Sequence, residues 1–198
     1  MTEQEERMIL AFGDSITMGA WDSQGGWANR LCNGKTRIVY NLGIDGNTVL
    51  DLLGRLELEV VNRGADKNSV IILAIGLNDS SRVNGQTKVD IVTFALTYHK
   101  LITLAQKYSD NVFCMGLTPI NESKTKPVCW DETLSFAEND CYKFDIAIRA
   151  MVEEAGAEYI ELPQKTVTLS DDGVHPDGEG HRTIAAIVNS KLQESISS

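Results

Sequence analysis

Two short stretches far apart in the chain carry residues that together could cleave an acyl bond. Gly13-Asp14-Ser15 follows the apolar run Arg7–Phe12, and Asp172-Gly173-Val174-His175-Pro176 comes near the other end. A serine hydroxyl alone is a weak nucleophile; an imidazole that takes its proton during attack makes it an effective one. A pKa near neutrality lets the same imidazole return that proton to the leaving group. Asp172 stands three residues before His175, so a single turn can aim its carboxylate at the distal ring nitrogen, fix the tautomer and stabilise the imidazolium. Pro176 restricts the backbone of His175 to extended conformations, which suits a ring held in a loop.

Between these ends lie Gly43, in Leu42-Gly43-Ile44-Asp45-Gly46, and Asn78, in Gly76-Leu77-Asn78-Asp79. A tetrahedral intermediate needs donors where its oxyanion forms. The backbone N–H of Ser15, the backbone N–H of Gly43 and the side-chain amide of Asn78 are the expected donors, glycine suiting a backbone that approaches substrate closely.

These pieces need a scaffold that gathers them at one edge. Strand-like apolar runs alternate with helical patterns along the chain, which argues for repeated βαβ units and a parallel sheet. Strands are expected at about residues 7–12, 37–41, 69–75, 111–116 and 157–161. The run Val70-Ile71-Ile72-Leu73-Ala74-Ile75 is unbroken, as in a strand buried on both faces. Helices are expected near residues 27–31, from Asn47 or Thr48 to about Gly64, through Ile91, Ala95, Tyr98, Ile102 and Ala105, from Cys141 to Ala155, and from about Gly178. Ser15, Gly43 and Asn78 thus follow the first three strands, at the carboxyl edge where parallel sheets bind ligands. Residues 117–140 form the least regular stretch, and a connection that long is usually functional or mobile. It is read as a rim or lid, with Trp130 and Phe136 as substrate contacts or merely as rings pinning a loop. Trp21, close after the nucleophile, is read as lining the pocket or the core. Asp14 and Asp79 are expected to shape their loops by hydrogen bonds to backbone, and His99 and His181 to be structural.

With 198 residues, 42% hydrophobic and 23% charged, the chain reads as one domain, 1–198, able to bury a core. The 18 Lys and Arg against 28 Asp and Glu give a formal net charge of −10, and without a basic patch neither nucleic acid nor an anionic membrane is an expected partner. The amino terminus, Met1 to Arg7, is acidic and lacks the pattern of a secretory signal. No run approaches the roughly 18 apolar residues that span a bilayer. The 4 cysteines show no C-x-x-C spacing, Cys114 reading as a buried thiol. A reduced, cytoplasmic protein without membrane insertion is expected. The histidines show no metal-ligand spacing such as H-E-x-x-H, and neither a metal nor another cofactor is expected.

Each piece alone is weak, but their order and placement after successive strands are not. As a set they resemble the sequence blocks of the SGNH (GDSL-type) hydrolase family: Gly13-Asp14-Ser15-Ile16-Thr17-Met18-Gly19, the loop at Gly43, Gly76-Leu77-Asn78-Asp79, and Asp172-Gly173-Val174-His175-Pro176. Isoleucine stands where the namesake motif has leucine, a hydrophobic exchange. The resemblance implies a three-layer α/β/α sandwich with a flavodoxin-like sheet of five parallel strands. It implies hydrolysis of carboxylic esters or thioesters without a cofactor, Ser15, His175 and Asp172 forming the triad. It leaves the substrate open among small esters, acylated sugars, lipids and thioesters. Short-chain or acetyl esters, including acylated carbohydrate, are favoured because no stretch offers extended apolar surface. A lysophospholipase or thioesterase, or a non-catalytic flavodoxin-like module holding a small ligand, are the alternatives.

Overall fold

The computed structural model describes residues 7–32 and 37–196; the acidic segment Met1–Glu6 lies outside them. In chain order the elements are β1 (Arg7–Gly13), α1 (Ser15–Met18), α2 (Gly26–Asn29), β2 (Arg37–Gly43), α3 (Val49–Asn62), β3 (Val70–Ala74) and α4 (Leu77–Ser80). Then follow β4 (Arg82–Val83), β5 (Gln86–Thr87), α5 (Ile91–Gln106), β6 (Asn111–Met115), β7 (Leu134–Ser135), α6 (Glu138–Ala155), β8 (Glu158–Ile160) and α7 (Gly178–Ile196).

Five strands pair in parallel in the order β2-β1-β3-β6-β8. All five residues of β3 are buried, as its uninterrupted apolar sequence requires of a strand covered on both faces. Helices α3, α5 and α6 pack in one layer, while α2 and α7 pack together in the other, giving the three-layer α/β/α sandwich. The chain runs from β1 outward to β2 and then back across to β3, so strand order reverses at β1. At such a switch point the loops at the carboxyl edge diverge and leave a crevice. Gly13 pairs with both Gly43 and Ala74, so the chain leaves these central strands at one level.

Local sequence explains the helix that follows β2. Thr48 caps α3 by accepting from the Asp51 N–H, and the Asp51 carboxylate accepts from the Thr48 N–H at 2.8 Å, a reciprocal capping box. Val49, Leu52, Leu56 and Val60 form its buried stripe.

Two expectations are corrected. In α5 the buried face is Phe94, Thr97, Tyr98, Leu101, Ile102 and Ala105, while Ile91 is exposed. The helix turns to seat Phe94 between Tyr98 and Phe144, with ring centroids 5.5 and 4.7 Å away. Helix α6 starts at Glu138 rather than Cys141. The sequence reading also missed a small antiparallel sheet, β5-β4-β7. Asn84 and Gly85 join β4 to β5 with φ of 51° and 81°, the two-residue turn that an Asn-Gly pair favours.

Ile72 in β3 is fully buried. Ile72→Ala is expected to cost about 2–5 kcal/mol, read as a lower urea midpoint with an unchanged denaturant slope. A cost below about 1 kcal/mol would contradict the packing described for β3.

Candidate active site

The nucleophile turn is built by Asp14. Its carboxylate accepts from the Ile16 N–H at 3.0 Å and caps α1, which turns Ser15 away from the line of β1. Ser15 Oγ then lies 2.9 Å from His175 Nε2, although the two are 160 residues apart. His175 sits in the loop between β8 and α7, which closes on itself through Ser170 N–H to His175 O at 2.8 Å.

Asp172 organises that loop. One carboxylate oxygen accepts from Ser170 Oγ (2.8 Å), Val174 N–H (2.8 Å) and His175 N–H (3.0 Å), and the other lies 2.7 Å from His175 Nδ1. Burial pushes the Asp172 carboxyl up, but these donors outweigh burial and hold it below its ordinary value. A bare nitrogen would face carboxylate oxygen at 2.7 Å, so Nδ1 carries the proton and Nε2 presents its lone pair to the Ser15 hydroxyl. Ser15, His175 and Asp172 are thus within hydrogen-bond reach in the order that serine activation needs.

The expected oxyanion donors fall into two groups. Asn78, at the start of α4, donates to the Asn47 carbonyl at 3.1 Å and faces an Asp14 oxygen at 3.5 Å. The first bond orients the amide; the second is at the limit of a hydrogen bond. The backbone of Gly43 is placed differently. Its N–H donates to the Asn41 side chain at 3.1 Å, and Gly43 does not line the cleft. A Cβ there would meet Met18 N at 2.1 Å and Asp14 O at 2.7 Å. Position 43 is glycine because α1 lies directly on it, which is a packing role. Gly46, three residues further on, does line the cleft, with φ +72° and open space where a Cβ would stand.

The cleft encloses about 370 Å³. Its walls include Ser15, Asn78 and His175 together with Trp21, Trp130 and Phe136. All three aromatics, each read as either a pocket or a packing residue, line this cleft. Trp21 and Trp130 are exposed and Phe136 is buried. The irregular 117–140 connection is a hydrogen-bonded rim: β7 pairs with β4, and Thr125 and Phe136 exchange bonds at 2.9 and 3.0 Å. The sequence reading missed Gly46, Lys88 and Leu134 in this lining. Gly46 follows β2, whose end lies at this edge, whereas Lys88 follows β5 and Leu134 lies in β7 of the small antiparallel sheet that the sequence reading missed. A larger groove of about 630 Å³ lies by Arg149 and Asp145, without Ser15, Asp172 or His175 in its walls.

Two further carboxyls are buried beside the nucleophile. Burial pushes Asp14 up to about 6 and Asp79 up to about 7. Asp79 accepts from the Val49 N–H at 3.0 and 3.2 Å, anchoring the start of α3. Both shape loops, as their sequence positions suggest.

Among the described residues no helix is long and apolar enough to cross a membrane. A model of the GDSL-like lipase/acylhydrolase family matches residues 11–183. The uncharacterized protein YpmR of Bacillus subtilis is 23% identical, over 96% of this chain and 83% of its own length. A lipase/acylhydrolase from Enterococcus faecalis superposes with TM-score 0.76 at 18% identity, covering 96% of both chains. A catalytic mutant of an acetylxylan esterase from Geobacillus stearothermophilus gives 0.72 at 20% identity, covering 97% of this chain and 96% of its own. At these identities the solved structures are similar to this chain in fold.

A carboxyl with a higher pKa folded than unfolded binds more protons in the folded state. Its stabilising share is complete below the unfolded value, about 4, and is lost as pH rises through the folded value, about 6 for Asp14 and about 7 for Asp79. Asp14→Asn keeps an acceptor for the Ile16 N–H but removes the ionisation. Urea unfolding of this variant is expected to show a smaller loss of stability from about pH 4 to pH 7 than the parent; an equal loss would contradict the burial assigned to Asp14.

Proposed function

Because the chain belongs to the GDSL-like lipase/acylhydrolase family, we propose that it is a serine hydrolase of carboxylic esters, acting on a small acyl-ester substrate. The observation that carries this reading is the continuous contact Ser15 Oγ to His175 Nε2 and His175 Nδ1 to Asp172. Ser15 attacks the ester carbonyl as its proton passes to Nε2. The Asp172 carboxylate balances the imidazolium that forms. The oxyanion is received by the Ser15 N–H, the Asn78 amide and, in place of Gly43, the Gly46 N–H. Collapse hands the Nε2 proton to the leaving alcohol and leaves an acyl-Ser15 enzyme. A water activated by the same imidazole attacks that ester, and free acid and Ser15 hydroxyl are restored.

Short acyl groups, acetyl foremost, fit a cleft of about 370 Å³, near the small end of ligand pockets. Acylated carbohydrate is included in the proposed substrate class, and the fold shared with the Geobacillus esterase supports it.

The test is hydrolysis of p-nitrophenyl esters from acetate to palmitate by the parent, Ser15→Ala and His175→Ala. Both variants are expected to lose more than about 10³-fold in kcat, with rates in the parent highest at the short end. Asn78→Ala is expected to lose roughly 10²–10³-fold. Highest rates on long chains would instead favour a lysophospholipase or thioesterase. A parent no faster than Ser15→Ala, with no labelling of Ser15 by a fluorophosphonate, would leave only a binding module.

A further inference from the structure

The charges in the cleft wall are few, and only one of them is a permanent cation. Among the described residues the ionisable groups lining the cleft, besides His175, are Asp14, Asp45 and Lys88. Asp14 is buried, its carboxyl pushed up to about 6, and it is engaged by the Ile16 N–H. Asp45 and Lys88 are exposed, so each presents its charge to whatever enters.

Lys88 is held there by its backbone. It leaves β5 directly, its N–H donates to the Ser81 carbonyl at 2.8 Å, and the Val89 N–H donates to the Asp79 carbonyl at 3.3 Å. Asp79 and Ser81 belong to the end of α4, the same short helix that presents Asn78. Lys88 and Asn78 are thus carried by one bonded piece of backbone. The ammonium donates to the Gly46 carbonyl at 3.4 Å, which places it by the Gly46 wall. Its charge is felt inside the site, where it pulls the Asp79 carboxyl down against the effect of burial.

An ammonium carries three donors. Lys88 spends one of them, near the limit of hydrogen-bond distance, and among the described residues no carboxylate pairs with it. The chain has 28 Asp and Glu against 18 Lys and Arg, and lysines elsewhere on its surface, such as Lys67, Lys126 and Lys191, each pair with an acid. Arg55, the cation beneath this corner, is spent on the Asn47 side chain and the carbonyls of Gly13 and Leu42. Lys88 is therefore a point charge with donors left for an anion. The net charge of −10 repels anions at long range. Screening confines such fields to about 8 Å at physiological ionic strength, so the nearest charge decides at contact. Asp45, in the same wall, disfavours an anion elsewhere in the cleft.

We propose that Lys88 makes the cleft selective for esters that carry a carboxylate, which pairs with its ammonium while Ser15 attacks the ester carbon. The substrate class is then the half-ester of a dicarboxylic acid or the acyl ester of a hydroxy acid. This rests on the ester-hydrolase reading of the same cleft.

The test compares kcat/KM, followed by pH-stat at neutral pH and low salt, within two pairs of esters that exchange a carboxylate for a methyl ketone. Monomethyl glutarate against methyl 5-oxohexanoate puts the anion on the acyl side. 4-Acetoxybutanoate against 5-acetoxy-2-pentanone puts it on the alcohol side. In at least one pair the carboxylate-to-ketone ratio is expected to fall about two- to fivefold in Lys88→Met, the worth of one exposed ion pair. Lys88→Arg is expected to keep the parent's ratio, and the pair that responds identifies the side that carries the anion. Ratios unchanged by Lys88→Met in both pairs would overturn the proposal; an equal fall on all four esters is such a result and would place the effect on the oxyanion or the Gly46 loop. A fall in Lys88→Arg as large as in Lys88→Met would also overturn it, because the charge would then not be what selects. A parent inactive on these esters and on p-nitrophenyl acetate removes the hydrolase reading itself. Turnover of p-nitrophenyl acetate alone removes only the assignment to Lys88.

Discussion

The site depends on how closely α1 lies against the ends of β1 and β2. A Cβ on Gly13 would come within 2.1 Å of Thr17 Oγ1 and 2.5 Å of the Ala74 carbonyl, and one on Gly43 within 2.1 Å of Met18 N. Packing of backbone on backbone leaves no slack for a side chain, so these positions fix where α1 sits over the sheet. Arg55 reinforces the corner from α3, donating to the carbonyls of Gly13 at 3.1 Å and Leu42 at 2.8 Å. With that corner fixed, the N-cap at Asp14 can set Ser15 at one height above the sheet edge. A histidine loop arriving from the far end of the chain then meets it at hydrogen-bond distance.

The carboxylates around the site are treated in opposite ways. Asp172 lies in a loop that turns sharply enough to offer it two backbone N–H groups, a hydroxyl and an imidazole, so its charge is kept. Asp14 lies just past the end of β1 and Asp79 within α4, and each serves mainly as the acceptor for one helix start. Burial opposes their ionisation, and the nearby Asp14 carboxylate further raises the cost of charging Asp79. This division suits the chemistry. In the proposed mechanism a full charge on Asp14 would oppose an oxyanion forming beside Ser15, whereas a full charge on Asp172 would stabilise the imidazolium. The same residue type gains two roles from the number of donors that reach it.

Most of the scaffold was legible because parallel strands buried on both faces leave an unmistakable apolar run, as in β3, and because the pieces of the site follow those runs directly. That Ser15, Asp172 and His175 could be gathered at one edge was legible for the same reason: Ser15 follows β1, and Asp172 and His175 share one turn. Gly43 and Gly46 show where such reading stops. Both belong to one loop and both are glycine, but Gly43 pairs with Gly13 in the last step of the strand ladder. A residue still in register with the sheet spends its N–H locally, here on Asn41. A donor for a ligand must come from beyond the ladder, and where the ladder ends depends on three-dimensional register. The rotation of α5 escaped for a related reason, since its apolar residues fill more than one stripe and its packing against α3 and α6 selects which faces inward. The β4–β5 hairpin was within reach, through Asn84-Gly85.

The polar residues of the cleft and its exposed indoles sit on different kinds of backbone. Ser15 and Asn78 leave central strands within a few residues, whereas Trp21 and Trp130 stand on connections free to vary without disturbing the sheet. Those connections are nevertheless tied to the site. The Asn121 N–H donates to the Gly173 carbonyl at 2.7 Å, joining the 117–140 rim to the loop that carries Asp172 and His175. Gly173 accommodates the junction at φ +76°, with Lys124 Cβ 2.8 Å from where its own Cβ would stand. A change in the rim that shifts Asn121 is therefore transmitted to the base as well as to the binding surface. The rim's attachment to Gly173 is where the wall of the cleft and the aim of His175 share one hydrogen bond.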